Sequence, residues 1–181
     1  MRRLSRWLSV TTAVLLAACG GPDFRPPEAA PGEWRQAMAE EAPGGWVVWG
    51  YGTAGASDSL AAARAKAASR ARGNLAERLT PRIQYLREGL VEALAGEGSK
   101  ELEKTDIQAV VKRASEIAVN GATVERRQRD AQGMWHALAR AELRPALREA
   151  ANNRGLSGSA RERLMDEADR LLKGADSQGS Q

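Results

Sequence analysis

The stretch that decides the fold is Gly45-Trp46-Val47-Val48-Trp49-Gly50-Tyr51-Gly52. Tryptophan, valine and tyrosine favour strands, and the glycines bound the run, so we predict a first strand over residues 46–51. The glycine-rich continuation lacks the spacing of a phosphate-binding loop. We therefore expect these glycines to let the chain turn from a strand into a helix.

A long alanine-rich helix is predicted next. Ser57 and Asp58 supply the residue types that cap a helix N-terminus. Apolar side chains then recur on one side at helical spacing: Leu60, Ala67, Ala68, Ala71, Leu75 and Leu79. Small alanine side chains suit a helix that lies close on a sheet. Pro81 is expected to end or kink the helix, because proline disfavours helical backbone at the residue before it.

Two more helices are predicted before the period of the pattern changes. The first covers residues 83–94, and the second begins at the Thr105-Asp106 cap and ends at Asn120-Gly121. Alternating residues then indicate strands over 122–129 and 134–143, joined by a turn at 130–133. The face of the last strand predicted to be buried consists of Trp135, Ala137, Ala139, Ala141 and Leu143.

The chain is predicted to finish with two helices and a polar tail. Leu143-Arg144-Pro145 opens a short helix that stops near Gly155, and an amphipathic helix follows over 159–173. Residues 174–181 are expected to be disordered. The order of elements predicts an α+β domain over 46–173, with a small antiparallel three-stranded sheet covered by the long alanine-rich helix and additional peripheral helices.

The N-terminus has the pattern of a signal peptide over residues 1–18. Arg2, Arg3 and Arg6 precede an apolar run shorter than the ~20 residues that a membrane-spanning helix needs. The run closes on Leu16-Ala17-Ala18-Cys19, which resembles the bacterial lipoprotein box. The resemblance implies cleavage before Cys19 and acylation of this cysteine on its sulfur and its nitrogen. An ordinary secretory signal that happens to end in cysteine is the alternative.

The expected location follows from Cys19 and its neighbour. Stable anchoring takes two or more acyl chains, so the modification would hold the protein to a membrane permanently. Gly20 stands where aspartate favours inner-membrane retention in lipoproteins of this type, which indicates the periplasmic face of the outer membrane. Cys19 is the only cysteine. With its sulfur blocked, the mature chain has no thiol for a nucleophile, a metal ligand or a disulfide.

The composition limits which classes of partner are expected and how large the core can be. The chain has 27 basic and 23 acidic residues, and removal of the three signal-peptide arginines leaves 24 against 23. A nucleic-acid partner is therefore not expected. Alanine contributes little buried area, so we expect a thin core that relies on neighbouring copies. Residues 19–45 contain five prolines and are predicted to form a semi-rigid tether, with Trp34 and Met38 docked, exposed or at the membrane interface.

The chain resembles the Lpp-twenty family of bacterial envelope lipoproteins, which includes flagellar lipoprotein P. The corresponding features are the glycine-bounded strand, Asp58, the helix over 61–76, and the hairpin with Gly121, Gly133, Trp135 and 137–140. The match covers roughly residues 45–145. It implies a compact, often multimeric helix-on-sheet domain with no known catalytic residues. The chain departs from the family where a polar strand is expected, because residues 82–94 have a helical pattern.

Few side chains indicate chemistry. Trp46, Trp49 and Trp135 are interpreted as core, with a ligand-stacking surface as the alternative. Arg126, Arg127 and Arg129 either blunt a sheet edge or meet an acidic partner or anionic lipid head groups. The only histidine, His136, is predicted to face solvent without a nucleophile nearby. Acids near the C-terminus are interpreted as the wet face of a helix and not as a metal site: Asp166, Glu167 and Asp169.

We therefore expect a lipoprotein anchored to the outer membrane with a structural or assembly role in the cell envelope. Association with the flagellar motor is one form of that role. Its partners would be the membrane, through acyl chains on Cys19, together with copies of itself or other envelope proteins. The alternative is a peptidoglycan-binding or small-ligand-binding periplasmic module. No enzymatic activity, metal or cofactor is expected.

Overall fold

A computed structural model of the protein describes residues 30–41, 45–55, 59–95 and 102–178. The signal peptide, Cys19 and the Ser57-Asp58 cap lie outside these residues. The elements in chain order are α1 (Gly32–Glu41), β1 (Val47–Ala54), α2 (Leu60–Ala95), α3 (Lys104–Asn120), β2 (Thr123–Arg129), β3 (Trp135–Glu142), α4 (Leu143–Asn153) and α5 (Gly158–Gln178). None of the described helices combines the length and apolarity needed to cross a bilayer.

The three strands form one antiparallel sheet in the order β1-β3-β2. The first strand therefore pairs with the second arm of the hairpin, and β1 and β2 are the two edges. Helix α2 packs across the sheet, so the predicted α+β fold is confirmed. Three residues of the β3 face predicted to be buried are at most 3% exposed: Ala137, Ala139 and Ala141.

Helix α2 lies on β1 at a distance that only glycine permits. A Cβ atom on Gly50 would lie 2.2 Å from the Ala71 carbonyl oxygen and 2.4 Å from the Leu75 amide nitrogen. On Gly52 it would lie 2.3 Å from the Ala71 amide nitrogen. The prediction that these glycines serve a chain turn is therefore wrong. Neither has a positive φ, and their role is close packing of two backbones.

Pro81 does not divide the long helix, which runs through it for 36 residues. Its side chain lies on the exposed side, where the Glu77 carbonyl that loses its partner faces solvent. The buried stripe continues past the proline: Leu75, Leu79, Arg82, Leu86, Leu90 and Leu94. Burial of this stripe against the sheet, α3 and α5 outweighs the cost of one missing hydrogen bond. Predicted helices one and two are thus one helix, and the helical pattern of residues 82–94 is confirmed.

Several predicted helix ends shift by a few residues. Ser59 caps α2, since its Oγ accepts the Ala62 amide at 3.1 Å. Leu60, predicted to face inward, is 55% exposed, because it begins the helix beyond the sheet. Helix α3 starts at Lys104 without a side-chain cap. Helix α5 extends to Gln178, so residues 174–178 are helical and not a disordered tail, whereas residues 179–181 lie outside the described residues.

The predicted tether contains helix α1, which covers the face of the sheet opposite α2. Trp34 and Met38 are 4% and 1% exposed, in a second core cluster with Trp49 and Leu138. The Trp34 ring meets the Tyr51 ring edge to face, with centroids 6.5 Å apart. The prediction of an extended tether is therefore wrong for residues 32–41, which form a helix. Pro31 stands just before the first turn, where its missing N–H costs nothing, and the two apolar side chains dock the helix.

Gly50→Ala should destabilise the protein by about 3 kcal/mol, because the new methyl group would force α2 away from β1. Gly73→Ala, at an exposed position of α2 between Ala71 and Leu75, is the matched control. A Cβ there has no atom within 4 Å, so alanine should raise helix stability by about 0.5–1 kcal/mol. Urea unfolding of both variants measures the two effects. Equal stability of the two variants would contradict the close-packed seam.

Trp34→Ala should detach α1, because a helix of ten residues is marginal without tertiary packing. Amide hydrogen exchange in residues 33–38 should become at least about tenfold faster, while exchange in the middle of α2 stays unchanged. Arg35→Ala, at an exposed position of the same helix, is the control and should keep the wild-type protection. Retention of protection in Trp34→Ala would show that α1 does not depend on this docking contact.

Candidate functional site

The three tryptophans proposed as a ligand surface do not lie together. Trp46 and Trp135 belong to the α2 side of the sheet at its two ends, and Trp49 lies on the α1 side. A guanidinium group lies 5.7–5.9 Å from each ring centroid: Arg144 at Trp46, Arg140 at Trp49 and Arg64 at Trp135. Each indole is engaged within the fold, which supports the interpretation as core.

Trp46 is also fixed through its indole nitrogen, which donates to Asp169 Oδ1 at 2.6 Å. Arg144 donates to the other oxygen of this carboxylate at 2.7 Å. Glu167 is buried and pairs with Arg170. The interpretation of the C-terminal acids as a wet face is therefore wrong for Asp169, which ties α5 to Trp46 and Arg144, and for Glu167, which is buried. No group of three or more metal-ligating side chains occurs within the described part of the chain.

His136 is not a solvent-facing side chain, since only 17% of it is exposed. Its Nε2 lies 2.9 Å from Asp130 Oδ2, and its Nδ1 lies 2.6 Å from the Tyr51 hydroxyl. An ionised carboxylate only accepts, so Nε2 carries the proton and Nδ1 accepts from the tyrosine. The result is a directed chain from Tyr51 through His136 to Asp130, which also accepts the Met134 amide at 2.7 Å.

The electrostatics of this chain favour a neutral tyrosine beside an ionised aspartate. The hydrogen bond from His136 lowers the pKa of Asp130, and the Met134 amide adds to the effect. Burial raises the pKa of Tyr51, and the negative charge of Asp130 raises it further. The order hydroxyl, imidazole, carboxylate is that of an activated nucleophile. However, a raised tyrosine pKa opposes formation of the phenolate, and Trp34 packs against the ring. The arrangement suits a tie between β1, β3 and the hairpin turn.

No local pattern in the sequence predicts this tie, because it depends on the strand register. Thr53 lies directly opposite His136, and Tyr51 reaches the imidazole diagonally. A register shifted by one residue would place Tyr51 on the other face of the sheet.

The two edge strands of the sheet differ in what contacts their outward backbone groups. At β1, side chains of α2 bind the outward backbone groups: Arg82 donates to Val47 O at 2.7 Å and Arg70 donates to Thr53 O at 2.6 Å. Asn74 accepts from the Tyr51 amide at 3.2 Å. These three positions recur on one side of the helix at multiples of four residues. The edge of β1 is therefore closed by side chains of the helix that packs on it.

At β2, the three arginines predicted to blunt an edge do lie on an edge strand. Every residue of β2 except Val124 is exposed. A register irregularity between Val124 and Arg126 marks a bulge at Glu125, which turns Glu125 and Arg126 to the α1 side of the sheet. There they line a small cavity of about 180 Å³ together with Trp49 and Arg140.

On the α2 side, Arg127 lines a broad groove of about 500 Å³. Its rim also carries Arg64 and Arg72 of α2, and its floor is apolar: Ala61, Ala65 and Ala68. We call Arg126, Arg127 and Arg129 of β2, together with Arg64 and Arg72, the arginine edge. The sequence pattern predicts only the three β2 members, because α2 lies beside β2 only in the folded sheet.

The comparisons with known proteins find no match, either to a protein-family model or to a curated protein.

The hydrogen-bond chain predicts a single tautomer for the only histidine. ¹⁵N NMR of the neutral imidazole should show the proton of His136 on Nε2, and a neutral ring with its proton on Nδ1 would contradict the assigned chain. Because the pKa of Asp130 is lowered in the folded state, its contribution to stability is present above pH 3.8 and is lost as the pH falls through the folded value. Asp130→Asn should therefore weaken the acid dependence of urea unfolding.

Glu92→Gln, which removes an exposed carboxylate on α2, is the control for the loss of one acid.

Tyr51 gives a separate prediction at high pH. Its pKa is raised above 10.0, so unfolded tyrosine ionises first and stability should fall as the pH rises past that value.

Proposed function

We propose that the protein is a lipid-anchored structural or assembly protein of the bacterial envelope, held at the periplasmic face of the outer membrane by acyl chains on Cys19. The lipoprotein box and Gly20 support the anchor and its location. The proposed activity is binding and not catalysis. The raised pKa of Tyr51 and the internal use of the three tryptophans support this choice.

The observation that carries the proposal is the docking of α1. Only residues 20–31 separate Cys19 from Gly32, and at ~3.6 Å per residue they span at most about 45 Å. A fully extended tether to residue 46 would reach about 95 Å. Docking of Trp34 and Met38 thus holds the domain in the membrane-proximal layer, where it can meet other anchored envelope proteins.

The partner is proposed to be another envelope protein or a further copy of this chain. The resemblance to the Lpp-twenty family adds association with the flagellar motor as one setting. A peptidoglycan-binding or small-ligand-binding module built on stacked tryptophans has less support, since each indole already has a guanidinium group over it.

Cys19→Ser should release the protein from membranes, because the hydroxyl cannot replace the acylated sulfur. Gly20→Asp should keep the protein membrane-bound but move it from the outer to the inner membrane. Gly20→Ser is the matched control and should leave the location unchanged. Density-gradient fractionation of cells that express each variant separates the three outcomes. Unchanged cosedimentation of Cys19→Ser with outer membranes would overturn the anchoring proposal.

A further inference from the structure

We propose that the edge of β2 binds an acidic, extended segment of another envelope protein as a fourth strand of the sheet. The arginine edge would receive the carboxylates of that segment. The acidic segment is a class of partner for the proposed assembly function. Only the location of that partner in the envelope rests on the proposed function. The binding itself depends only on the surface of the folded domain.

The first argument is the difference between the two edges. Side chains of α2 obstruct a partner strand at β1, since Arg70, Asn74 and Arg82 already bind three of its outward backbone groups. Strand β2 follows β3 at the other edge, and no described strand lies beyond it. Backbone hydrogen bonds from an added strand provide affinity at such an edge, and pockets for alternate side chains provide specificity.

The second argument is the shape of the groove beside β2. A strand added next to β2 would lie ~4.8 Å away and would continue the sheet beneath α2. Alternate side chains of this strand would point into the groove that Arg64, Arg72 and Arg127 line. The alanine floor accepts their aliphatic parts, and the guanidinium groups on the rim accept carboxylates. Side chains of opposite parity would meet Arg126 on the α1 side.

The third argument is the concentration of charge. The mature chain is nearly neutral, with 24 basic and 23 acidic residues, yet five arginines lie along this one edge. The single acid of β2, Glu125, already accepts from Thr123 Oγ at 2.7 Å. An excess of one sign at one edge selects partners of the opposite sign.

The same charges oppose pairing of β2 with β2 of a second copy of the chain. Antiparallel pairing of β2 with β2 of a copy would bring arginine against arginine, and like charges on facing strands destabilise a pair. The bulge at Glu125 further limits regular pairing to Arg126–Arg129. Four residues provide little backbone affinity alone, so the charge complement must supply the rest. The edge thus resists self-association and retains a site for an acidic strand.

The test measures binding of a fluorescent peptide to the full chain purified in detergent micelles. The probe is a peptide of about nine residues that alternates glutamate with valine, a typical strand length. Arg127→Glu and Arg72→Glu should each weaken binding by about tenfold or more, the size of effect seen when a charge at an interface is reversed. Arg148→Glu, an exposed arginine of α4 without a described partner, is the matched control and should stay within about twofold of wild type.

Two peptide controls separate strand addition from simple charge attraction. A version with glutamine in place of glutamate should bind weakly, and a version N-methylated at alternate amides should also lose binding, since it cannot pair with the edge. Binding should weaken as NaCl rises from about 50 to about 300 mM. Full binding by the N-methylated peptide, or equal loss in Arg148→Glu, would overturn the proposal. Arg127→Gln, a milder change, covers the case in which charge reversal disturbs folding.

Anionic vesicles test whether the arginine edge binds lipid head groups instead of an acidic strand. Vesicles of about one part phosphatidylglycerol to three parts phosphatidylcholine should not displace the peptide. Displacement that Arg127→Glu abolishes would show that the edge binds head groups instead, and would overturn strand addition. These outcomes do not depend on where Cys19 places the protein. Failure of peptide binding with normal release of Cys19→Ser from membranes would leave the anchor proposal standing.

Discussion

The contact between β1 and α2 is the constraint on which the rest of the structure depends. Gly50 and Gly52 remove the side chains that would separate a strand from a helix, so the two backbones meet directly at Ala71 and Leu75. Close approach compensates for a core built largely from alanine, because small side chains bury useful area only when the elements lie near each other. The 36 residues of α2 then form a platform for the sheet, α3 and α5.

The position of α2 also determines which side chains lie at the two edges of the sheet. Since the helix lies so close to β1, Arg70, Asn74 and Arg82 reach three of its outward backbone groups, the carbonyls of Thr53 and Val47 and the amide of Tyr51. The first turns of the same helix bring Arg64 and Arg72 to the opposite edge, beside β2. One helix thus covers backbone groups at one edge of the sheet and lines the other edge with cations.

The opposite face of the sheet links the fold to the proposed anchor at Cys19. The outer side of β1 and β3 carries Trp49, Tyr51 and Leu138, which would be exposed without α1. Docking of this helix buries them and at the same time shortens the chain between the domain and Cys19. The hydrogen-bond chain from Tyr51 to Asp130 holds the hairpin turn beneath this face. Stability of the domain and distance from the proposed anchor are therefore set by the same packing interaction.

The sequence by itself determined the class of the fold, because periodicity is local. Alternation in the hairpin and the 3.6-residue repeat in α3 and α5 specify faces without knowledge of neighbours. The lipoprotein box is equally local, and it remains a prediction. The β2 arginines could be placed on a strand, and their type indicated an edge.

Only the tertiary structure decided which elements meet. Pro81 locally predicts an end or a kink, yet burial of the stripe on either side keeps α2 continuous. The Pro-rich composition predicts a tether, yet Trp34 and Met38 dock α1 on a surface that exists only once β1 and β3 pair. Gly50 and Gly52 look like turn residues until a helix lies above them. The Tyr51–His136 contact and the groove beside Arg127 depend on register and crossing geometry, which join residues far apart in the chain and leave no periodic trace in it.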